Sequence, residues 1–293
     1  MATTAVRTRP TAWLAALRPR QWTKNLLVFA GIIFAGQLRD PHRLLEAAVV
    51  FVAYCAASSA AYLLNDVRDA EHDRLHPIKR DRPVPSGLVS PRAALVAAGG
   101  LAVAAFALAA VLGGWSVLVL CAFVALQLAY SLGLKHVVLI DVMAIAGLFV
   151  VRAVAGAVAV HVPISPWLLL CTGTLALFLA LAKRRGELVL VGADRTPGRP
   201  VLEGYSLVLV DQLVTIVAAS TVIAYALYTF TARPGDRMMA TIPFVLFGVF
   251  RYLLLIHRED AGEEPEDVLL TDRPILACVA LWALTSALLL IHS

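Results

Sequence analysis

Three aspartates, Asp66, Asp69 and Asp73, follow Asn65 at intervals of three and four residues, where a long apolar run gives way to polar sequence. On a helix turning about 100° per residue, these four side chains fall within an arc of about 100°. Like charges on one helix face repel at each i,i+3 or i,i+4 contact, more so at a partly dehydrated interface, so something positive must offset them. Hard oxygen donors with room for water and phosphate suit Mg²⁺, which proteins hold with a few carboxylates and the substrate's own phosphate oxygens. Asn65, Asp66, Asp69 and Asp73 are thus the expected metal ligands. Directly after them the stretch HPIKRDRP brings Lys79, Arg80 and Arg82 in a proline-bounded loop, cations able to grip a diphosphate whose other oxygens lie on the metal. The plainer alternative is a solvated helix end paired to Arg68, Arg74 or Lys79; the shared face and the cationic loop weigh against it.

The elements that must position these groups are written in the hydropathy. Of 293 residues 60% are hydrophobic and 15% charged, and apolar runs of membrane-spanning length recur along the chain. This excludes an ordinary soluble enzyme and predicts an all-α, polytopic membrane bundle of about nine transmembrane helices. The expected spans are Leu26–Leu38, Leu44–Leu64, Ala93–Leu112, Trp115–Leu134, Val137–Val160, Trp167–Ala182, Leu207–Phe230, Met239–Ile256 and Ile275–Ile291. The basic N-terminal residues Arg7, Arg9, Arg18, Arg20 and Lys24 lead into the first apolar run without a small-residue cleavage site, so that run is expected to stay. A net charge of +5 does not point to nucleic acid here, because the cations sit at membrane edges, where topology and anionic lipid account for them. Cys55, Cys121, Cys171 and Cys278 lie inside apolar segments without metal-like spacing and are expected as small core residues.

With the N-terminus inside the cell, the long polar connections Asn65–Pro91, Lys183–Ser206 and His257–Pro274 fall on the same, cytoplasmic side as Lys135 and most of the 25 Lys and Arg residues. The expectation is one domain over residues 1–293 in the cell's inner membrane, with 1–25 as a cytoplasmic interfacial segment and 65–91 and 183–206 as active-site loops. Arg20 and Lys24 read either as snorkelling anchors or, with Asn25 and Trp22 beside them, as a phosphate site. Lys183, Arg184 and Arg185 carry the same two readings, and Glu187 is placed to steady one of them. Asp141 and Arg152 stand within apolar helices, where a lone charge is costly and is paired or functional. Some three turns separate them, too far to pair directly. Asp141, near the cytoplasmic end of its helix with Tyr130 and Lys135, reads as functional, whereas Arg152 and Arg251 read as structural. His72 and His76 have no ligand-like partners, and the acidic stretch HREDAGEEPEDVLLTDRP reads as a solvated loop in preference to a lid.

NDVRDAEHD resembles the first aspartate-rich motif of the UbiA superfamily of intramembrane prenyltransferases, in form and in its place after the second helix. The resemblance implies a UbiA-like fold, Mg²⁺ and a diphosphate leaving group. The second aspartate-rich motif of the aromatic prenyltransferases has no counterpart, since LAKRRGELVLVGADRTPGRP carries only Glu187 and Asp194. LRPRQWTKN, NDVRDAEHDRLHPIKRDRP, YSLGLKHVVLIDV, KRRGEL and PEDVLLTDRP are instead similar to the decaprenyl-phosphate phosphoribosyltransferase branch. That implies transfer of 5-phosphoribose from phosphoribosyl diphosphate (PRPP) to decaprenyl or another polyprenyl phosphate, for cell-wall arabinan precursors. On this implication Arg20, Lys24, Asn25, Lys79, Arg80, Arg82, Tyr130, Lys135, Asp141, Lys183, Arg184, Arg185 and Glu187 bind substrate, with Asp141, Tyr130 and Lys135 lining the sugar pocket and Glu187 either holding a cation in place or binding ribose hydroxyls. The alternatives are an aromatic prenyltransferase with a polyprenyl diphosphate donor, and a non-catalytic polyprenyl-phosphate transporter.

Overall fold

A computed structural model of the chain describes residues 9–75, 79–192, 200–231, 236–258 and 271–291. Arg7, His76, Asp194, most of the Arg233–Asp236 turn and the acidic residues of 259–270 lie outside them, as does the side chain of His72. Among the described residues there are helices and no strands. Seven helices among the described residues are long and apolar enough to cross a membrane, and Arg273–Leu289 is a shorter apolar one. By contact the chain forms two compact units, one of Met1–Ile32, Gln37–Ser131 and Val154–Val162, the other of Ile33–Gly36, Leu132–Ala153 and Pro163–Ser293.

The first unit begins with α1 (Arg9–Leu17) and a 3-10 segment, Pro19–Phe29. The expected span Leu26–Leu38 is therefore not one helix: the 3-10 segment takes up its start, α2 (Ala30–Phe34) is five residues long, and Gly36 turns the chain with φ 71. Close packing accounts for the departure. A Cβ on Gly156 would overlap the Val28 carbonyl, and one on Gly31 would press on the backbone of Ala157, so two glycines let backbones meet where a regular helix with side chains would stand off.

Helix α3 (Pro41–Arg68) starts at Asp40, whose side chain accepts from the amides of His42 at 2.9 Å and Arg43 at 3.3 Å, with Pro41 at the first helical position. It ends at Asp69, and α4 (Ala70–Leu75) continues beyond that break. Helix α5 (Pro91–Leu112) is capped by Ser90 and ends at Gly113, φ 112; α6 (Gly114–Leu132) follows at once. Ala12 and Ala16 of α1, Ala60 and Leu63 of α3, Val84, Val89, and Ala94 and Ala98 of α5 make the core of this unit. Lipid supplies no hydrophobic drive between helices, so small side chains that permit close van der Waals contact are what holds α3 and α5 together.

In the second unit, α7 (Ile140–Ala159) supplies its first part, followed by α8 (Pro166–Gly192), α9 (Leu207–Thr231), α10 (Ile242–Arg258) and α11 (Arg273–Ile291). Its core is bulkier: Phe178, Leu181, Val210, Val214, Val249, Tyr252, Ile256 and Ile275. Helix α8 runs ten residues past the expected end at Ala182, so KRRGEL is helix and not loop. The reason is local, since Arg184 and Glu187 pair at i,i+3 across Gly186 and no proline interrupts the run. Of the four cysteines, all free, Cys55 and Cys278 are buried as expected, but Cys121 is exposed on α6.

Candidate active site

Asp66 lies in the last turn of α3, 1% exposed, and Asp73, on α4, is 5% exposed. The Arg82 guanidinium joins them, Nη1 donating to Asp73 Oδ2 at 2.8 Å and to Asp66 Oδ1 at 3.4 Å. Arg18 Nη2 also donates to Asp66 Oδ1, and Lys79 Nζ stands 3.9 Å from Asp73 Oδ1. Against two carboxylates the cluster therefore sets three cations, a net positive charge of one that draws anions.

Arg18 reaches this position through its backbone. It sits in the left-handed region, φ 54 and ψ 60, immediately before Pro19, and its guanidinium lies 5.0 Å from the centre of the Tyr62 ring. Ser59 holds the segment on α3, donating to the Leu17 carbonyl at 2.9 Å and accepting from Trp22 Nε1 at 3.0 Å. Nothing in the residue types singled out Arg18, which reads as one more N-terminal cation; its place before a proline was the available signal.

Asp69 does not join Asp66 and Asp73 on the shared guanidinium. As the residue that caps α3 it is half-buried, and it accepts from Arg68 Nε at 3.2 Å. Asn65 Nδ2 donates to Ser131 Oγ at 3.2 Å, and Arg68 Nη2 to the Ser131 carbonyl at 2.9 Å, pinning the end of α3 to the end of α6. The uniform face expected of the four residues is thus interrupted where α3 stops, and among the described residues no three His, Cys, Asp or Glu side chains gather as a ready-made metal site. Two carboxylates nevertheless suit Mg²⁺, which completes its octahedron with water and phosphate. Asp66 Oδ2 is buried and has no hydrogen-bond partner among the described residues, an oxygen that a hard cation would satisfy.

The other expected residues divide by their partners. Asn25 is fully buried and donates to Cys55 Sγ at 3.4 Å, and Lys24 donates to Gln21 Oε1. In the second unit Arg184 is 1% exposed, with Nε on Asp141 Oδ2 at 2.7 Å and Nη1 on Glu187 Oε2. Asp141, wholly buried, accepts in addition from the Tyr205 phenol at 2.6 Å. A guanidinium and carboxylate so enclosed are committed to each other. Arg185 is similarly committed: Nε donates to Asp211 Oδ1 at 2.7 Å and Nη1 to the Ile256 carbonyl at 2.6 Å, tying α8 to α9 and α10. Tyr205 had no distinguishing sequence signal, whereas Asp211, a charge inside the expected span Leu207–Phe230, carried the same signal as Asp141 and was passed over. Arg152 donates to the Leu148 carbonyl at 2.9 Å and lies over Phe149, and Arg251 pairs with Asp272 at 2.9 Å. By contrast, the side chains of Arg20, Arg80, Tyr130, Lys135 and Lys183 make no hydrogen bond or ion pair among the described residues.

Residues 25–270 match the UbiA prenyltransferase family. The decaprenyl-phosphate phosphoribosyltransferase of Mycolicibacterium smegmatis is 36% identical over 285 residues, 92% of this chain and 89% of that protein. Its namesake in Mycobacterium tuberculosis is 37% identical over 278 residues, covering 92% and 91%. Among solved structures, a UbiA homologue from Archaeoglobus fulgidus bound to DMAPP and Mg²⁺ superposes with a TM-score of 0.73 at 20% identity, over 96% of this chain and 99% of that one. That likeness establishes the fold.

Proposed function

The chain belongs to the UbiA prenyltransferase family, and from that premise we propose that it transfers 5-phosphoribose from phosphoribosyl diphosphate to decaprenyl phosphate, releasing diphosphate. The observation that carries the reading is similarity to mycobacterial decaprenyl-phosphate phosphoribosyltransferases along 92% of the chain. The chemistry of the Asp66 cluster agrees with it.

Breaking the C1–diphosphate bond develops positive charge on the ribose and negative charge on the leaving group. The attacking lipid phosphate is already an anion, so it needs placement and no strong general base. Arg82, with a third of its side chain exposed, and Lys79 and Arg18 beside it offer charge-assisted hydrogen bonds to the departing diphosphate. Arg82 also fixes the spacing of Asp66 and Asp73. A divalent cation, Mg²⁺ in this reading, would be held by these two with Asp69 and Asn65 as further oxygen donors, and when bound it neutralises charge on the diphosphate.

The remaining phosphates, on ribose C5 and on the lipid, need cations not already spoken for. Arg20, Arg80, Lys135 and Lys183 answer that description, whereas Arg184 and Arg185 serve to hold helices in place. The reacting end faces the cytoplasm, where phosphoribosyl diphosphate is made, and the product supplies arabinan assembly. Purified protein in detergent, given Mg²⁺, phosphoribosyl diphosphate and decaprenyl phosphate, should form a phosphoribosylated lipid by mass spectrometry, and EDTA should abolish it. A prenylated product from decaprenyl diphosphate and 4-hydroxybenzoate in a parallel reaction, with no phosphoribosyl lipid in the first, would overturn the proposal.

A further inference from the structure

The turn between α6 and α7 is built to be rigid. A 3-10 segment, Leu134–His136, carries Lys135, and the chain then passes Leu139 in the left-handed region, φ 67, before α7 begins. For a leucine that conformation costs on the order of 1 kcal/mol, and something must hold it there. Tyr205 does: its phenol accepts from the Leu139 amide at 2.7 Å and donates to Asp141 Oδ1 at 2.6 Å. Next to it, Gly204 leaves the room that Val138 fills, because a Cβ on Gly204 would overlap Val138 Cγ2. Asp141 is fixed from its other oxygen by Arg184, so the turn is tied through one phenol to the buried end of α8.

We infer that Tyr205 is a positioning residue for the transfer, clasping this turn so that Lys135 is presented to a substrate phosphate. The inference rests on the phosphoribosyltransferase reading for the identity of that phosphate. Lys135 is half-buried yet makes no hydrogen bond or ion pair among the described residues, which leaves its charge available to a ligand anion. The phenol is itself pushed up to about 12, first by burial and then by its bond to Asp141, so it stays protonated and keeps donating throughout the range in which such enzymes are assayed.

The test is a double-mutant cycle of Tyr205→Phe and Lys135→Met in the full-length protein, with KM and kcat for both substrates and hydrogen exchange over residues 134–140. Tyr205→Phe should raise KM for one phosphate substrate about tenfold, with kcat changed little, and should lose that effect in the Lys135→Met background. Exchange should quicken in the turn and stay as in wild type elsewhere. Gly204→Ala, which keeps the phenol but displaces Val138, should reproduce the KM effect and serves if Tyr205→Phe does not fold. Additive effects, an unchanged KM, or unchanged exchange in the turn each overturn the inference. A wild-type protein that makes no phosphoribosyl lipid defeats the function reading by itself; the positioning role then stands or falls on the exchange data and on whether Tyr205→Phe weakens phosphoribosyl diphosphate binding through Lys135.

Discussion

Asp66 is a buried carboxylate with one oxygen shared between two guanidinium groups and the other without a hydrogen-bond partner among the described residues. The proposed chemistry needs that oxygen charged and open. Asp66→Asn and Asp73→Asn should each lower kcat by about 100-fold or more, the loss expected when an electrostatic contact made in the transition state is removed. The check is turnover in variants whose melting temperature in detergent matches wild type; near-normal rates would detach the cluster from the reaction. Arg82→Lys should cost nearly as much, because Nη1 already bridges the two carboxylates and a single ammonium has no second planar amino group left for the diphosphate. At this scale Asp66, Asp73, Lys79 and Arg82 stood out in the sequence, since charge in an apolar chain is conspicuous, but the face that the two aspartates were expected to share with Asn65 and Asp69 is interrupted where α3 ends. Arg18 did not stand out, because its reach to Asp66 depends on a left-handed backbone that its own residue type does not announce.

The long α8 carries charge into its last turns and stays helical, so the cations there are fixed by helix geometry and not by a loop. Arg184→Ala would leave Asp141 and Glu187 facing each other without their shared partner and should destabilise the protein by about 3–5 kcal/mol, read from unfolding in detergent. Helix α11 starts at Asp272, whose carboxylate accepts from Arg251 at 2.9 Å and caps the Ile275 amide at 2.9 Å. The Arg251 hydrogen bond holds this carboxyl below its ordinary 3.8. Its contribution to stability is therefore complete above the ordinary carboxylate value and is lost as pH falls through the lowered one. Melting followed from pH 7 downward should show a decline below pH 4 that Asp272→Asn makes shallower. Apolar run length placed α3, α5, α6, α7 and α9 to α11 closely. It failed at α2, where two glycines make the contact, and at the end of α8, where an ion pair carries the helix into polar sequence.

Across the whole molecule, charge asymmetry sets orientation. If the N-terminus lies inside, Arg80→Cys should react with a membrane-impermeant maleimide only in inside-out vesicles and Arg39→Cys only in right-side-out ones, both in a background where the exposed Cys121 is replaced. The opposite pattern would reverse the cytoplasmic placement of the Asp66 cluster. The sequence by itself determined that the chain is all-helical, apolar enough to cross a membrane, of UbiA type and similar to phosphoribosyltransferases, because periodicity, hydropathy and short motifs are properties of contiguous residues. Only the tertiary structure decided which charges are spent on one another. Asp141 meets Arg184 and Tyr205 across forty-three and sixty-four residues of chain, and Asp66 meets Arg18 across forty-eight. Whether a cation is committed to a buried carboxylate or left for a substrate depends on distances between segments far apart in sequence, and no local pattern encodes those distances.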